Sequence, residues 1–115
     1  MRRGEIWYAD LEPTQGSEAN KKRPVIIVSN DGANRRASDL GRGVLTVVPL
    51  TSSTDHVYPF QVLLAPEVSG LPRASKAQAE QVRALDVGRL LDRIGRVNAT
   101  TLAQLDAALR LHLAL

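Results

Sequence analysis

With 115 residues, 43% of them apolar, the chain has the length and composition of one domain with a single core, spanning residues 1–115. It contains no cysteine, which excludes disulfide bonds, a thiolate nucleophile and cysteine-based metal sites. No apolar run reaches the roughly 18 residues that span a bilayer. The net charge of +3 favours polyanionic partners. Because no signal-peptide core follows the N-terminus, we expect a cytoplasmic protein without membrane contact.

The first half of the chain is predicted to form three strands and one short helix. The strands are Glu5–Leu11, Val25–Ser29 and Val44–Leu50. A polar loop, Thr14–Lys22, joins the first two strands. After the second strand, Asn30 can cap a short helix that runs through Arg35 and Arg36, and Gly41 and Gly43 are expected to end it and mark a turn.

The second half is predicted to form shorter strands separated by loops. Strands are expected at Phe60–Leu64, within Lys76–Leu85 as one strand or a strand pair, and at Ile94–Val97. A hydroxyl-rich loop, Thr51–Tyr58, precedes the first of these strands, and a connection rich in proline and glycine follows it. The stretch Asp86–Leu91 predicts one helical turn.

The C-terminal helix has the strongest pattern in the sequence. Asn98 can cap its N-terminus, with Val97 and Leu102 spaced as a hydrophobic staple. Leucines recur at helical spacing on one face, at Leu102, Leu105, Leu109 and Leu113. This periodicity predicts a helix packed against the core.

Two further features concern the surface of this helix. Asp106 and Arg110 are spaced as an i,i+4 ion pair. Leu111 and Leu115 widen the apolar surface, which either a second subunit or the same chain can cover. Taken with the strands, the pattern predicts a β-rich α+β fold: a small curled sheet or barrel of about five to seven strands, with a short helix after strand 2 and a C-terminal helix.

The stretch Asn20–Asn30 joins a dense basic block to a strand. The basic residues are Lys21, Lys22 and Arg23, and an unbroken β-branched run follows them. Such a run predicts a strand buried on both faces, because a half-buried strand would alternate. Pro24 suits the first strand position, where its missing N–H costs no ladder bond. We expect Arg23 at the mouth of a rigid strand, although a solvated basic loop capping a strand has the same pattern.

A second segment, Val47–Ser53, has the same construction. A buried strand again ends in polar side chains, here the hydroxyls of Thr51, Ser52 and Ser53. A strand end can hold such side chains rigidly while leaving them open to water.

Five stretches, in chain order, resemble the MazF/PemK/Kid toxins of bacterial toxin–antitoxin pairs, and together they extend from Arg3 to about Leu111. The matching stretches are Gly4–Pro13, Gly16–Glu18, Lys22–Asn30, Val48–Ser52 and Glu80–Arg83. The resemblance implies an SH3-like barrel that forms a homodimer, and a sequence-specific endoribonuclease that cuts messenger RNA. It also implies catalysis by Arg23 and Thr51, and neutralisation by a cognate MazE-like antitoxin that lays an acidic segment across the basic groove.

Other enzyme classes have little support in the sequence. No Walker-type glycine loop is present. The two histidines, His56 and His112, are far apart in sequence, which argues against a paired-histidine ribonuclease. Acidic residues are scattered rather than clustered as Mg²⁺ requires. Any RNA cleavage is therefore expected to need no metal and no other cofactor.

RNA supplies its own nucleophile, because the 2′-OH can attack the adjacent phosphate in line. The protein then positions the backbone and stabilises a doubly charged phosphorane. The planar guanidinium of Arg23 matches phosphate oxygens, and the hydroxyl of Thr51 can donate to a third oxygen. Since arginine stays protonated at ordinary pH, we assign Arg23 to charge stabilisation, with protonation of the leaving 5′ oxygen left open. Glu18 is the candidate general base. The resemblance implies 2′,3′-cyclic phosphate and 5′-OH products.

Further side chains are candidates for binding single-stranded RNA. They are Glu18, Lys21, Lys22, Asn30, Ser52, Ser53, Tyr58 and Gln81. Proteins commonly stack RNA bases on aromatic rings, and Tyr58 is the best candidate because Trp7 and Phe60 are expected in the core. The amides of Asn30 and Gln81 can recognise base edges, although the segment that contains Gln81 also fits an ordinary half-buried strand.

Three alternatives remain open at this point. A small barrel can bind RNA or DNA without cutting it, and a protein-binding module can carry incidental charge. A gyrase-directed toxin of the same fold is the third alternative, and the presence of both Arg23 and Thr51 argues against it.

Overall fold

A computed structural model describes residues 1–11, 16 and 22–115. Within these residues there are seven strands: β1 (Glu5–Asp10), β2 (Lys22–Ile27), β3 (Val44–Thr51), β4 (Gln61–Leu64), β5 (Ser75–Gln78), β6 (Arg83–Asp86) and β7 (Leu90–Arg96). The helices are α1 (Asp31–Leu40), α2 (Pro66–Ser69) and α3 (Ala99–Leu113). Two 3-10 turns lie at Ala79–Gln81 and Val87–Arg89. None of the described helices is long and apolar enough to cross a bilayer.

The strands form one antiparallel sheet in the order β4-β5-β3-β2-β1-β7, with β6 also paired to β3. Because Val47 pairs with both Ile27 and Arg83, β2 and β6 lie on opposite edges of β3. The predicted β-rich α+β fold, with a helix after the second strand and a C-terminal helix, is confirmed. The expected barrel is not closed: within the described residues, β4 and β7 end the strand order without pairing to each other.

Strand β2 is buried on both faces, as its unbroken apolar run predicts. Val25, Ile26 and Ile27 are all fully buried. Val25 and Ile27 belong to one hydrophobic cluster, while Ile26 belongs to the other, which contains Leu105 and Leu109 of α3. The sheet therefore separates two cores, and its central strands are held from both sides.

Two prolines lie in central strands without disrupting them. Pro24 was predicted to be the first residue of β2. It is the third, because the strand begins at Lys22. Pairing with β3 begins only at Val25, so Pro24 lies beyond that ladder. Pro49 lies where β3 has left β6 and not yet met β5, so neither strand is a partner on that edge.

Both longer helices begin at the predicted caps. The Asn30 side chain accepts from the Ala33 N–H at 2.8 Å, and Asn98 accepts from Thr101 in the same way. Helix α1 ends at Leu40, and Gly41, whose φ of 65° is left-handed, caps its C-terminus as predicted.

Several predictions about the C-terminal half are wrong. Asp106 pairs with Arg3 at 2.6 Å rather than with Arg110. Leu113, predicted on the buried face of α3, is 48% exposed. The short helix α2 is absent from the prediction, since its four residues are too few to show periodicity. Phe60, expected in the core, is half-buried and belongs to neither hydrophobic cluster.

Candidate functional site

A cleft of about 520 Å³ opens at the end of the sheet where β2 begins and β3 ends. Its described lining residues are Tyr8, Lys22, Arg23, Pro24, Leu50, Thr51, Ser52, Ser53, Leu71, Pro72, Arg73 and Ser75. The lining combines ends of central strands with the segment after α2. Apolar residues form part of the wall, and cations and hydroxyls form the rest.

Strand register explains why Arg23 and Thr51 share this cleft. Strands β2 and β3 are antiparallel, and their last pair on this side is Val25 with Pro49. Arg23 precedes Val25 by two residues and Thr51 follows Pro49 by two, so continuing this register beyond the ladder places the two residues opposite each other. Opposed residues of an antiparallel pair project their side chains to the same face, so both reach the cleft from neighbouring strands. Both are half-buried.

The cleft is positively charged. Lys22, Arg23 and Arg73 line it, and none of the described residues that line it is acidic. Guanidinium groups bind phosphate oxygens through paired hydrogen bonds, and several cations in one concave site raise the local concentration of anions. The charge therefore suits a phosphate backbone.

The hydroxyl of Thr51 is oriented by its own loop. Its Oγ1 accepts a hydrogen bond from the Ser53 N–H at 3.2 Å. Because this bond uses an acceptor position, the Thr51 O–H remains a donor that can point into the cleft. Such a donor is what a developing charge on a phosphate oxygen requires.

Beside the cleft, the loop between β3 and β4 carries a row of aromatic rings. Tyr58 stacks on Phe60 with ring centroids 5.4 Å apart and planes 1° apart, and His56 lies 6.3 Å from Tyr58 at 28°. His112 of α3 lies 6.3 Å from Phe60. Tyr58 is 51% exposed. Phe60 is thus half-buried as a stacking partner of Tyr58 rather than as a core residue.

Four of the eight residues predicted to bind RNA lie in the cleft or on the loop beside it. Lys22, Ser52 and Ser53 line the cleft with the two predicted catalytic residues, and Tyr58 lies on the adjoining loop. Two others lie elsewhere: Asn30 caps α1, and Gln81 lies in a 3-10 turn outside the cleft lining. Glu18 and Lys21 lie outside the described residues.

The other end of β2 and β3 holds a cluster whose polar groups bond one another. The Arg3 guanidinium donates to the Val28 carbonyl at 2.8 Å and to Asp106 at 2.6 Å. The Arg3 backbone N–H donates to Asp31, and this bond holds the pKa of the Asp31 carboxyl below its usual value. Ser29 donates to Asn34 and accepts from the backbone of β3.

Sequence reasoning missed two residues that line the cleft, Tyr8 and Arg73, and two that bond to the loop between β3 and β4, Gln61 and Lys76. Tyr8 and Arg73 line the cleft because β1 and the segment after α2 flank the β2–β3 end. The buried amide of Gln61 accepts from the Tyr58 N–H at 3.1 Å and donates to Glu80 at 2.6 Å. These contacts join distant parts of the chain. The sequence offered one signal: Lys76 is the single charged residue of the strand Ser75–Gln78.

No metal-binding cluster of three or more histidine, aspartate or glutamate side chains occurs among residues 1–11, 16 and 22–115. The cleft instead offers hydrogen-bond donors: guanidinium, ammonium and hydroxyl groups. This donor set matches an anionic ligand.

Comparison with known proteins gives a consistent result. A family model described as the PemK-like, MazF-like toxin of type II toxin-antitoxin systems matches residues 2–113. Endoribonuclease MazF9 of Mycobacterium tuberculosis is 62% identical over 113 residues, covering 98% of this chain and 96% of that protein. Endoribonuclease EndoA of Bacillus subtilis is 32% identical over 116 residues, covering 100% and 96%. A solved mycobacterial endoribonuclease in complex with its cognate antitoxin has a TM-score of 0.78 at 26% identity, covering 100% and 96%.

Proposed function

Because the chain belongs to the PemK-like, MazF-like toxin family of type II toxin–antitoxin systems, we propose that it is an endoribonuclease toxin that cuts single-stranded messenger RNA at a short sequence. Two relatives that match over nearly their whole length are endoribonucleases, which supports the activity. Among the alternatives, a barrel that only binds nucleic acid would not need Arg23 and Thr51 together in one cleft.

One observation supports this proposal above the others: Arg23 and Thr51 line the same basic cleft from neighbouring strands. A scissile phosphate in the cleft would meet a guanidinium from one side and a hydroxyl from the other. Both groups come from strands packed between two cores, so little reorganisation is needed when charge develops.

The proposed reaction is transesterification within the RNA. The 2′-oxygen forms a bond to phosphorus as its proton departs, and the bond from phosphorus to the 5′-oxygen breaks as that oxygen gains a proton. Arg23 stabilises the dianionic phosphorane, and Thr51 donates to one of its oxygens. The products are a 2′,3′-cyclic phosphate and a 5′-OH. Glu18 stays the candidate for the base that receives the 2′ proton.

The reaction is proposed to need no metal ion. Divalent cations in phosphoryl-transfer sites are bound through carboxylates, and none of the described cleft-lining residues is a carboxylate. In this proposal, the charge that a metal would supply comes from Arg23, with Lys22 and Arg73 holding the flanking phosphates.

An antitoxin with an acidic segment is the proposed inhibitor. The solved mycobacterial relative is in complex with its cognate antitoxin. In this chain an acidic peptide would compete with RNA for the same three cleft cations. We further propose a cytoplasmic homodimer, with the exposed leucines Leu111, Leu113 and Leu115 as apolar surface available for assembly.

Incubating the protein with a long unstructured RNA in EDTA tests the proposal. Discrete fragments that end in a cyclic phosphate and begin with a 5′-OH are expected. Intact RNA that only shifts in mobility would contradict it and favour a binding protein. Intact RNA with no salt-dependent affinity would favour a protein-binding module.

A further inference from the structure

Lys76 is an unusual lysine because it is only 8% exposed. It lies within β5, between β3 and β4. Its Nζ donates to the His56 carbonyl at 2.5 Å and lies 5.8 Å from the centre of the Tyr58 ring. Within the described residues no carboxylate forms a salt bridge with it. The ammonium is therefore held by one carbonyl and one aromatic face.

A buried ammonium without a carboxylate partner is costly to keep, and an apolar residue of the same length would pack in its place at less cost. The two contacts of Lys76 both go to the loop between β3 and β4. A hydrogen bond to a charged donor and a cation–π contact are directional, so they fix the position of this loop rather than merely fill space.

Hydrogen bonds of Gln61 fix the same loop on the C-terminal side of Tyr58. Gln61 accepts from the Tyr58 N–H and donates to Glu80, and the Gln61 N–H in turn donates to the Tyr58 carbonyl. With Lys76 holding His56, the backbone is fixed on both sides of the exposed Tyr58 ring. The loop therefore presents His56 and Tyr58 in one arrangement.

Strand pairing relates the fixed rings to the cleft. Thr51 and Lys76 are directly opposed across β3 and β5, so their side chains share a face with Cβ atoms about 5 Å apart. A nucleotide next to a phosphate at Thr51 would thus be close to the rings that Lys76 holds. An exposed aromatic row beside a basic cleft is the arrangement by which proteins bind single-stranded RNA bases.

We propose that Lys76 is a positioning residue that holds His56 and Tyr58 as a stacking surface for one RNA base beside the scissile phosphate. The proposal rests on the proposed ribonuclease function and extends it. Lys76 itself touches neither base nor phosphate; it acts through the loop. Stacking on this surface would help select the base next to the cut.

Four variants test the proposal: Lys76→Met removes the ammonium, Tyr58→Leu removes the ring, Tyr58→Phe keeps the ring, and Lys22→Met removes a cleft cation. With a short RNA containing one mapped cut site, Lys76→Met and Tyr58→Leu are each expected to raise KM about five- to tenfold, the loss typical of one stacked base. We expect kcat to stay within about twofold. Tyr58→Phe, which keeps the ring, is expected to raise KM less than Tyr58→Leu does. Cuts by the first two variants should spread to additional sequences.

Salt dependence separates positioning from phosphate contact. Lys22→Met should flatten the plot of log affinity against log salt by about 0.7, as expected for one lost phosphate contact to a single strand. Lys76→Met should leave that slope unchanged. A flattened slope for Lys76→Met, or wild-type KM and cut sites for Tyr58→Leu, would overturn the proposal.

Two further arms keep the result decisive. If thermal melting shows that Lys76→Met is unfolded, Lys76→Gln replaces it. This variant keeps a donor for the His56 carbonyl, so the same changes in KM and in cut sites are expected, but smaller. If the wild-type protein does not cut RNA at all, the proposed function fails. Fluorescence anisotropy with the same RNA then tests whether the rings form a stacking surface, independently of cleavage. Weaker binding by Tyr58→Leu than by Tyr58→Phe supports the stacking surface, and equal binding overturns it.

Discussion

The two ends of β2 and β3 carry the same kinds of side chain in opposite surroundings. At one end, the Arg3 guanidinium bonds to Val28 and Asp106, and Ser29 both donates to and accepts from its neighbours. At the other end, Arg23 and Thr51 line a cleft whose described walls contain further cations but no carboxylate. An arginine and a hydroxyl at the end of a strand therefore do not by themselves indicate a functional site.

The difference lies in what surrounds each pair. The charge of Arg3 is neutralised within the fold, so its bonds contribute to stability. The charges around Arg23 and Thr51 face a concave surface that can receive an anion. This comparison predicts that substitutions at the first end change stability and that substitutions at the second change activity.

The largest expected effect is that of Arg23→Ala. Removing the guanidinium should reduce the single-turnover cleavage rate in EDTA by about 10²–10³-fold, the loss typical of one strong donor to a transition-state anion. A thermal melt of the same variant checks that it is folded under the assay conditions.

Arg3→Ala is the matched control for that prediction. It removes a charge-assisted bond to Asp106 and should lower the free energy of unfolding by about 1–3 kcal/mol. Cleavage by the folded fraction should be unchanged. If Arg3→Ala lost activity at full stability, the division between the two ends would be wrong.

Thr51→Val should have the next largest effect, about 10- to 100-fold on the same rate, because valine keeps the shape of threonine but removes the donor. Ser29→Ala is its counterpart at the other end, where it leaves the Asn34 side chain and a β3 N–H short of a partner. We expect Ser29→Ala to destabilise by about 1–3 kcal/mol with normal cleavage. Equal activity of Thr51→Val and wild type would remove Thr51 from the proposed site.

Asn30 was predicted from the sequence to bind RNA, and in the structure it caps α1. The variant Asn30→Ala separates these two roles. Loss of the cap on α1 should cost about 1 kcal/mol in urea unfolding. KM for RNA should be unchanged. Asn98→Ala, which removes the same kind of cap from α3, is the control. A raised KM for Asn30→Ala alone would return Asn30 to the RNA-binding surface.

The smallest expected effect concerns Glu5, at the same end as Arg3. Burial raises its pKa, but hydrogen bonds from Trp7 and the Arg2 N–H, with nearby positive charges, outweigh burial and leave the pKa below its usual value. A lowered pKa in the folded state stabilises fully above pH about 4.5, and this stabilisation is lost as pH falls through the folded-state value.

Thermal melts of Glu5→Gln test this. Its midpoint should lie below that of wild type at pH 7, and the gap should narrow as the pH falls below about 4.5. A gap that does not vary with pH would mean that Glu5 stabilises the fold through packing rather than through its charge.

Local patterns predicted much of this fold. The unbroken apolar run of β2 predicted burial on both faces, and Asn30 and Asn98 predicted the helix caps. Strand burial and helix capping are set by residues that are close together in sequence, so a short window shows them. The SH3-like barrel was expected to close, but whether edge strands such as β4 and β7 meet depends on the whole sheet.

Long-range contacts account for what the sequence did not show. Arg3 and Asp106 are 103 positions apart, and the sequence instead suggested the local pair of Asp106 with Arg110. Lys76 reaches His56 across 20 positions. The resemblance, rather than any local pattern, indicated that Arg23 and Thr51 act together. Their meeting in one cleft depends on the register of β2 with β3, which no short window of sequence encodes.

The most direct test of the central claim is a double-mutant cycle on single-turnover cleavage in EDTA, with Arg23→Ala, Thr51→Val and both together. If the two groups stabilise one phosphorane, the double variant should lose much less than the product of the single losses, because groups that act as a unit are not additive. Losses that simply multiply would show that the two side chains act independently, and the account of a shared scissile phosphate would be contradicted.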